Sequence, residues 1–232
     1  MHWQETNSTD EEYIVPDNIV DAVYSITCRN LPVDHAYALS QAIQRALPWF
    51  ADEAAAGMHI IHVAESSNGW MRPDDPSALL HPSRRTKLAL RIPKHRLEDA
   101  NALLDQTLDI SGHALRIDKI SLRPLSKITT LFSRHVVITQ GNNETDFMQE
   151  AAKQLNDLGI KPKKMLCGLT TAIIVPTATT GKLQTCSLML ADLSFDETVL
   201  LQQQGLGPQR KLGCGLFLPH KDINDLRHSQ DR

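Results

Sequence analysis

The chain has 232 residues, of which 41% are hydrophobic and 22% charged, so it can bury a sizeable core and is long enough for two domains of about a hundred residues each. No apolar run approaches the ~20 residues of a membrane helix, and the N-terminus shows neither a basic region nor an apolar signal core, so a cytoplasmic protein without a membrane partner is expected. The net charge of −3 excludes a uniformly basic surface, although it does not exclude local basic tracks.

In chain order, residues 1–15 are polar and acidic and read as a disordered extension. Ile19 to Cys28 is β-branched and aromatic, which predicts a strand. Asp34 stands in N-cap position for a helix in which Ala36, Leu39, Ile43 and Leu47 recur at helical spacing until Pro48 stops it. Met58 to Val63 predicts a short strand and Lys87 to Ile92 another, ended by Pro93. A second helix is predicted over Leu97 to Leu108, followed after Gly112 by a strand over Ala114 to Leu122. The order β-α-β-β-α-β is that of a ferredoxin-like unit.

The second half repeats it. Arg134 to Thr139 reads as a strand, Glu144 to Leu158 as a helix closed by Gly159, and Lys163 to Val175 with Leu183 to Ala191 as an antiparallel pair. Ser194 and Glu197 form a capping box for a last helix, Phe195 to Gln204, and Gly213 to Leu218 is expected to be the closing strand. The predicted fold is therefore α+β, two tandem ferredoxin-like domains at 16–125 and 133–220. A linker over 126–132 and a polar tail over 221–232 complete the predicted organisation.

Residues 200–219 hold four of the eleven glycines, at 205, 207, 213 and 215, beside Arg210 and Lys211. Glycines that free backbone N–H groups next to two cations suit an anion such as phosphate. Charge is unevenly spread. Residues 1–22 carry Glu5, Asp10, Glu11, Glu12, Asp17 and Asp21 without a cation, whereas residues 82–96 carry Arg84, Arg85, Lys87, Arg91, Lys94 and Arg96 without an acid. With Lys161, Lys163 and Lys164, these clusters can form an anion track. Cys28, Cys167, Cys186 and Cys214 have neither CxxC nor zinc spacing, so core thiols are expected, with no metal and no cofactor. His59 and His62 form an HxxH that on a strand would point to opposite faces, which does not suit a shared metal but leaves one of them able to face RNA. His35, after the Asp34 cap, would sit in the first turn of a helix, where the dipole attracts a phosphate.

Pro32-Val33-Asp34-His35-Ala36-Tyr37-Ala38-Leu39 and the stretch from Leu201 to Pro219 resemble the CRISPR-associated Cas6 family of endoribonucleases, in particular its Cmx6 subgroup. The order of elements agrees over about residues 16–220, and the motif match covers some thirty positions. Pro208 and Gln209 stand where the family pattern tends to have Gly and Arg, which stiffens the loop and removes one N–H donor. The resemblance implies metal-independent cleavage of precursor CRISPR RNA by the neighbouring 2′-hydroxyl. His35 would transfer the proton, and Tyr37, though about 200° round the helix from it, or else Tyr24, would orient a base or stabilise the transition state. Gly205, Gly207, Gln209, Arg210, Lys211, Gly213 and Gly215 would hold the RNA, and Arg84, Arg85, Lys87, Arg91 and Lys94 would track the phosphates of a repeat hairpin. Aromatic residues are 5% of the chain, which leaves Trp49 and Trp70 as the candidates for base stacking. The implied partners are the CRISPR repeat RNA hairpin and other Cas proteins of a type I, Cascade-like effector complex. Two alternatives stand beside this reading: a crRNA-binding subunit with weak or no cleavage, and a ferredoxin-like interaction protein without RNA.

Overall fold

The computed structural model describes residues 13–63, 73, 75, 77–139 and 143–220. The first unit contains β1 (Ile19–Cys28), β2 (Leu31–Pro32), α1 (Ala36–Ala46), α2 (Trp49–Asp52), β3 (Gly57–His59), β4 (Leu79–Leu80), β5 (Lys87–Pro93), α3 (Leu97–Ala100), β6 (Thr107–Ile110) and β7 (His113–Arg123). Its five-stranded sheet has the order β3-β5-β1-β7-β6, all antiparallel, so β3-β5-β1-β7 is the ferredoxin-like core and β6 is an added hairpin strand. The second unit contains β8 (Leu131–Val137), α4 (Glu144–Asp157), β9 (Lys164–Ile174), β10 (Lys182–Ala191), α5 (Phe195–Gln204) and β11 (Leu218–Pro219). Its sheet order, β11-β8-β10-β9, is the ferredoxin-like order again.

Each unit buries its own core. In the first, Ala22, Tyr24, Met58, Leu90 and Ile92 from the sheet meet Leu39 and Ile43 of α1. In the second, Phe147, Ala151 and Leu155 of α4 and Leu201 of α5 meet Leu131, Val136, Leu188 and Leu190. α4 and α5 begin where their caps dictate: Asn143 accepts from the Asp146 amide at 2.8 Å, and Ser194 with Glu197 closes the expected capping box. A smaller cluster of Ala36, Val137, Ile173, Val175, Leu212 and Cys214 joins the two units beside α1.

Several elements differ from expectation. The helix predicted over Leu97–Leu108 is one α turn running into a 3-10 turn at Asn101–Leu103, and Leu108 belongs to β6. The apolar positions fit both periods, but Asp105 takes φ 60° and breaks the helix, and Ser111 (φ 54°) with Gly112 (φ 84°) turns a hairpin. The strand predicted over Met58–Val63 pairs only as far as His59. The strand predicted over Gly213–Leu218 shrinks to Leu218–Pro219, because the chain at Gly213 and Gly215 is left-handed. The cap position of α1 falls on His35, one residue after Asp34: β2 pairs with β4 just ahead of the helix, and the Val33 amide donates to Ala78 O at 3.1 Å. The described chain starts inside the segment expected to be disordered, with Tyr13 5.4 Å from the Phe195 ring. The rest of that extension, Trp70 and the tail at 221–232 lie outside the described residues.

Candidate active site and nucleic-acid interface

His35 sits at the N-terminus of α1, where the units meet, and is 1% exposed. Its ring turns back and Nδ1 donates to the Pro32 carbonyl at 2.8 Å. A carbonyl can only accept, so the proton is fixed on Nδ1 and the variable nitrogen is Nε2. A small cavity at this point is lined by His35 and Asp34 from the helix start, Ile60, Ile61 and His62 from the segment after β3, and His135 and Ile173 from the second unit. The His62 and His135 rings stack at 6.3 Å. His135 Nδ1 lies 3.1 Å from the Thr185 hydroxyl.

A larger cavity of about 190 Å³ adjoins it, lined by His59, Ile60 and His62, by Phe132, Arg134 and His135 of β8, and by Gly213, Leu216, Leu218, Pro219 and His220. Because β3 stops at His59, strand alternation no longer separates the two histidines of the HxxH, and both face this space. Burial first, then the charges of Arg134, His135, His35 and His59, push the His62 pKa down to about 2. Burial also lowers the Arg134 guanidinium, which lies 5.5 Å over the Phe132 ring. Among the described residues no group of three or more His, Cys, Asp or Glu could hold a metal.

Arg91 is not on an anion-facing surface. It is 1% exposed and holds Asp21 through two bonds of 2.9 and 3.1 Å, while its Nη1 donates to Gln202 O at the end of α5 and to Phe217 O. Burial alone would raise the Asp21 carboxyl, but Arg91 and His59 together hold it well below the usual carboxylate range. Asp21 therefore belongs to the fold and not to an acidic tail.

The glycine-rich loop is also turned inward. Arg210 Nη2 donates to Ala55 O at 2.9 Å and Nη1 to Gln204 O, while Lys211 Nζ donates to Ala56 O at 2.9 Å and to Glu53 O. Burial pushes their pKa values down, to about 10 for Arg210 and about 8 for Lys211. The loop closes on itself through Leu206 N to Gly215 O at 3.0 Å, and a Cβ at Gly215 would lie 2.0 Å from Leu206 O. Gly205 is similarly enclosed, Gly213 is set against Ile60 and Met58 O, and only Gly207, Pro208 and Gln209 form an open tip. Gln209 takes the left-handed φ of 70°.

The remaining expected contacts divide. Arg84, Arg85 and Lys87 are exposed at the start of β5, the sheet end from which β1 leads through β2 to His35. Lys94 lies past the other end of that strand, about 20 Å away by strand rise, and pairs with Asp17. Tyr37 is half-buried against the cluster that joins the units, and Tyr24 donates to Ala100 O at 3.0 Å inside the first core. Trp49 packs beside Phe50 under Arg96. The sequence reading missed the ring of His62, His135 and His220 with Arg134. Only the spacing of His59 and His62 hinted at it.

A Cas6 family model matches residues 20–222. A CRISPR-associated endonuclease Cas6 from Myxococcus xanthus is 28% identical over 200 residues, covering 86% of this chain and 81% of that protein. Among solved structures, an RAMP protein binding different RNA substrates superposes with a TM-score of 0.61 at 14% identity over 87% of this chain and all of the other. Another CRISPR-associated Cas6 protein gives 0.59 at 12% identity over 88% of this chain and all of the other. Thermus thermophilus Cse3, bound to an RNA representing a pre-cleavage complex, gives 0.52 at 12% identity, again over 88% of this chain and all of the other. The match of the family model to nearly the whole of both ferredoxin-like units means that the chain belongs to the Cas6 family.

Proposed function

We propose that the protein is a CRISPR repeat endoribonuclease that cuts precursor crRNA by metal-independent attack of the 2′-hydroxyl and stays on the hairpin product. The observation that carries the reading is the placement of His35: at the start of an eleven-residue helix, between the units, beside cavities rich in imidazoles and holding Arg134. An imidazole exchanges protons near neutral pH, and a cation in a partly dehydrated cleft stabilises a phosphorane more than one in bulk water. Arg84, Arg85 and Lys87, at the same end of the sheet, supply exposed charge for the hairpin phosphates. In this reading the protein is cytoplasmic and joins other Cas proteins in a type I-like complex. The Myxococcus xanthus relative is itself a CRISPR-associated endonuclease.

The test is incubation of the full chain with end-labelled CRISPR repeat RNAs in EDTA. Cleavage to a 2′,3′-cyclic phosphate is expected, with His35→Ala slowing it about 10²- to 10⁴-fold while RNA binding persists. A rate that falls to background in EDTA, or is unchanged in His35→Ala, counts against it. A second reading, an RNA-binding subunit without cleavage, is favoured by the 1% exposure of His35 and by Pro208 in the loop tip, and binding without product would establish it.

A further inference from the structure

His59 closes β3 and stands on the wall of the larger cavity, on the sheet face opposite the α1 core. Its Nε2 lies 3.4 Å from Asp21 Oδ1. A carboxylate only accepts, so this contact puts the ring proton on Nε2 and leaves Nδ1 as the lone-pair nitrogen. Asp21 is itself fixed: Arg91 grips both its oxygens and Arg123 Nη2 reaches Oδ2 at 2.9 Å. The ring is thus oriented by a carboxylate that cannot move, as an acid–base imidazole requires. The His59 side chain is 12% exposed, and its cavity shares Ile60, His62 and His135 with the cavity that holds His35.

We propose that His59 is a second catalytic imidazole of this protein, oriented by Asp21, and that it takes the proton of the attacking 2′-hydroxyl. The proposal rests on the repeat-cleavage reading above. In the step, the 2′-oxygen bonds to phosphorus as its proton passes to His59 Nδ1. The bond from phosphorus to the 5′-oxygen breaks, and that oxygen takes a proton from the protonated Nε2 of His35. The products are a 2′,3′-cyclic phosphate and a 5′-hydroxyl, and no water or metal enters the balance. Burial, with smaller contributions from Arg91 and Arg123, lowers the His59 pKa against the opposing pull of Asp21, so the ring is neutral at pH 7, the state of a base. Its other charged or titratable neighbours are His62 and, across the cavity, Arg134, His135 and His220.

Single-turnover cleavage of a saturating repeat RNA tests this, with binding measured on the same repeat carrying a 2′-deoxy nucleotide at the cut. His59→Gln keeps a donor for Asp21, and is expected to slow cleavage about 10²-fold or more with its affinity for the 2′-deoxy RNA within threefold of wild type. Asp21→Asn removes what raises the His59 pKa, so the acidic limb of the pH–rate profile is expected to move to lower pH, a shift that a merely loosened fold would not give. Should Asp21→Asn fail to fold, the ¹⁵N shifts of His59 in the wild type are read instead, and perturbation on adding the 2′-deoxy RNA is expected. Wild-type cleavage rates in His59→Gln, or ring nitrogens that ignore bound RNA, overturn the proposal while leaving the repeat-cleavage reading intact. A wild-type chain that neither binds nor cuts its native repeat overturns both.

Discussion

A buried histidine records its surroundings as a dependence of stability on pH. His62 is neutral in the fold, with a pKa of about 2, against ~6.5 in an unfolded chain. Its contribution is fully present above pH ~6.5 and is lost as the pH falls from there, because only the unfolded chain then binds the proton. His59 acts in the same direction. Urea midpoints are therefore expected to drop below pH 6.5, His62 alone giving a slope that approaches about 1.4 kcal/mol per pH unit, and to drop less steeply in His62→Gln. An identical slope in that variant would sink the assignment. Asp21, whose pKa is depressed, works at lower pH: its contribution persists above ~4 and disappears only under more acidic conditions. At this scale His35 was singled out by the family resemblance, with its place beside a helix start in support. The sequence could not show that His59 and His62 share a cavity, because that depends on where β3 stops pairing.

At the scale of elements, the glycine-rich loop carries two cations whose charge is turned toward the carbonyls of residues 53, 55, 56 and 204. Replacing both Arg210 and Lys211 with alanine is expected to lower stability by about 1–3 kcal/mol, since buried carbonyls lose their donors, while the log–log salt slope of RNA binding stays unchanged. A slope that flattens by one or more would return these side chains to the phosphate. The exposed Arg84, Arg85 and Lys87 are predicted to behave in the opposite way: their triple alanine variant keeps its stability within about 0.5 kcal/mol and reduces the salt slope by roughly one per lost phosphate contact. The two clusters look alike in sequence, as short basic runs. What distinguishes them is the neighbourhood each meets across the fold, and residue spacing carries no record of that. Helix ends were the most legible feature where a side chain caps locally, as at Ser194 with Glu197. They were less legible at α1, where the cap position falls one residue beyond Asp34 and β2 pairs with β4 just before the entry.

For the whole molecule, both ferredoxin-like units could be read from the order of strands and helices, because each buries a separate core with its own periodic pattern. Their mutual placement could not, since it depends on Arg91, a residue that in sequence belongs to a basic run. Arg91 spans from Asp21 in the first sheet to the carbonyls of Gln202 and Phe217 in the second unit. Arg91→Met leaves the buried Asp21 carboxylate with only Arg123 and His59 and frees both carbonyls, so a loss of up to about 3–5 kcal/mol is expected, with earlier protease cleavage between residues 124 and 130. A variant as stable and as protease-resistant as wild type would rule out the tether.

The inward turn of the glycine loop bears on how mutational scans of this protein are to be interpreted. At Gly205 or Gly215 any side chain meets backbone oxygen or the Arg210 guanidinium, so a substitution there unseats the loop from residues 53–57. A loss of function at Gly205 or Gly215 is thus expected to measure docking of one unit against the other, and only substitutions at the open tip of Gly207, Pro208 and Gln209 would test a contact made by the loop.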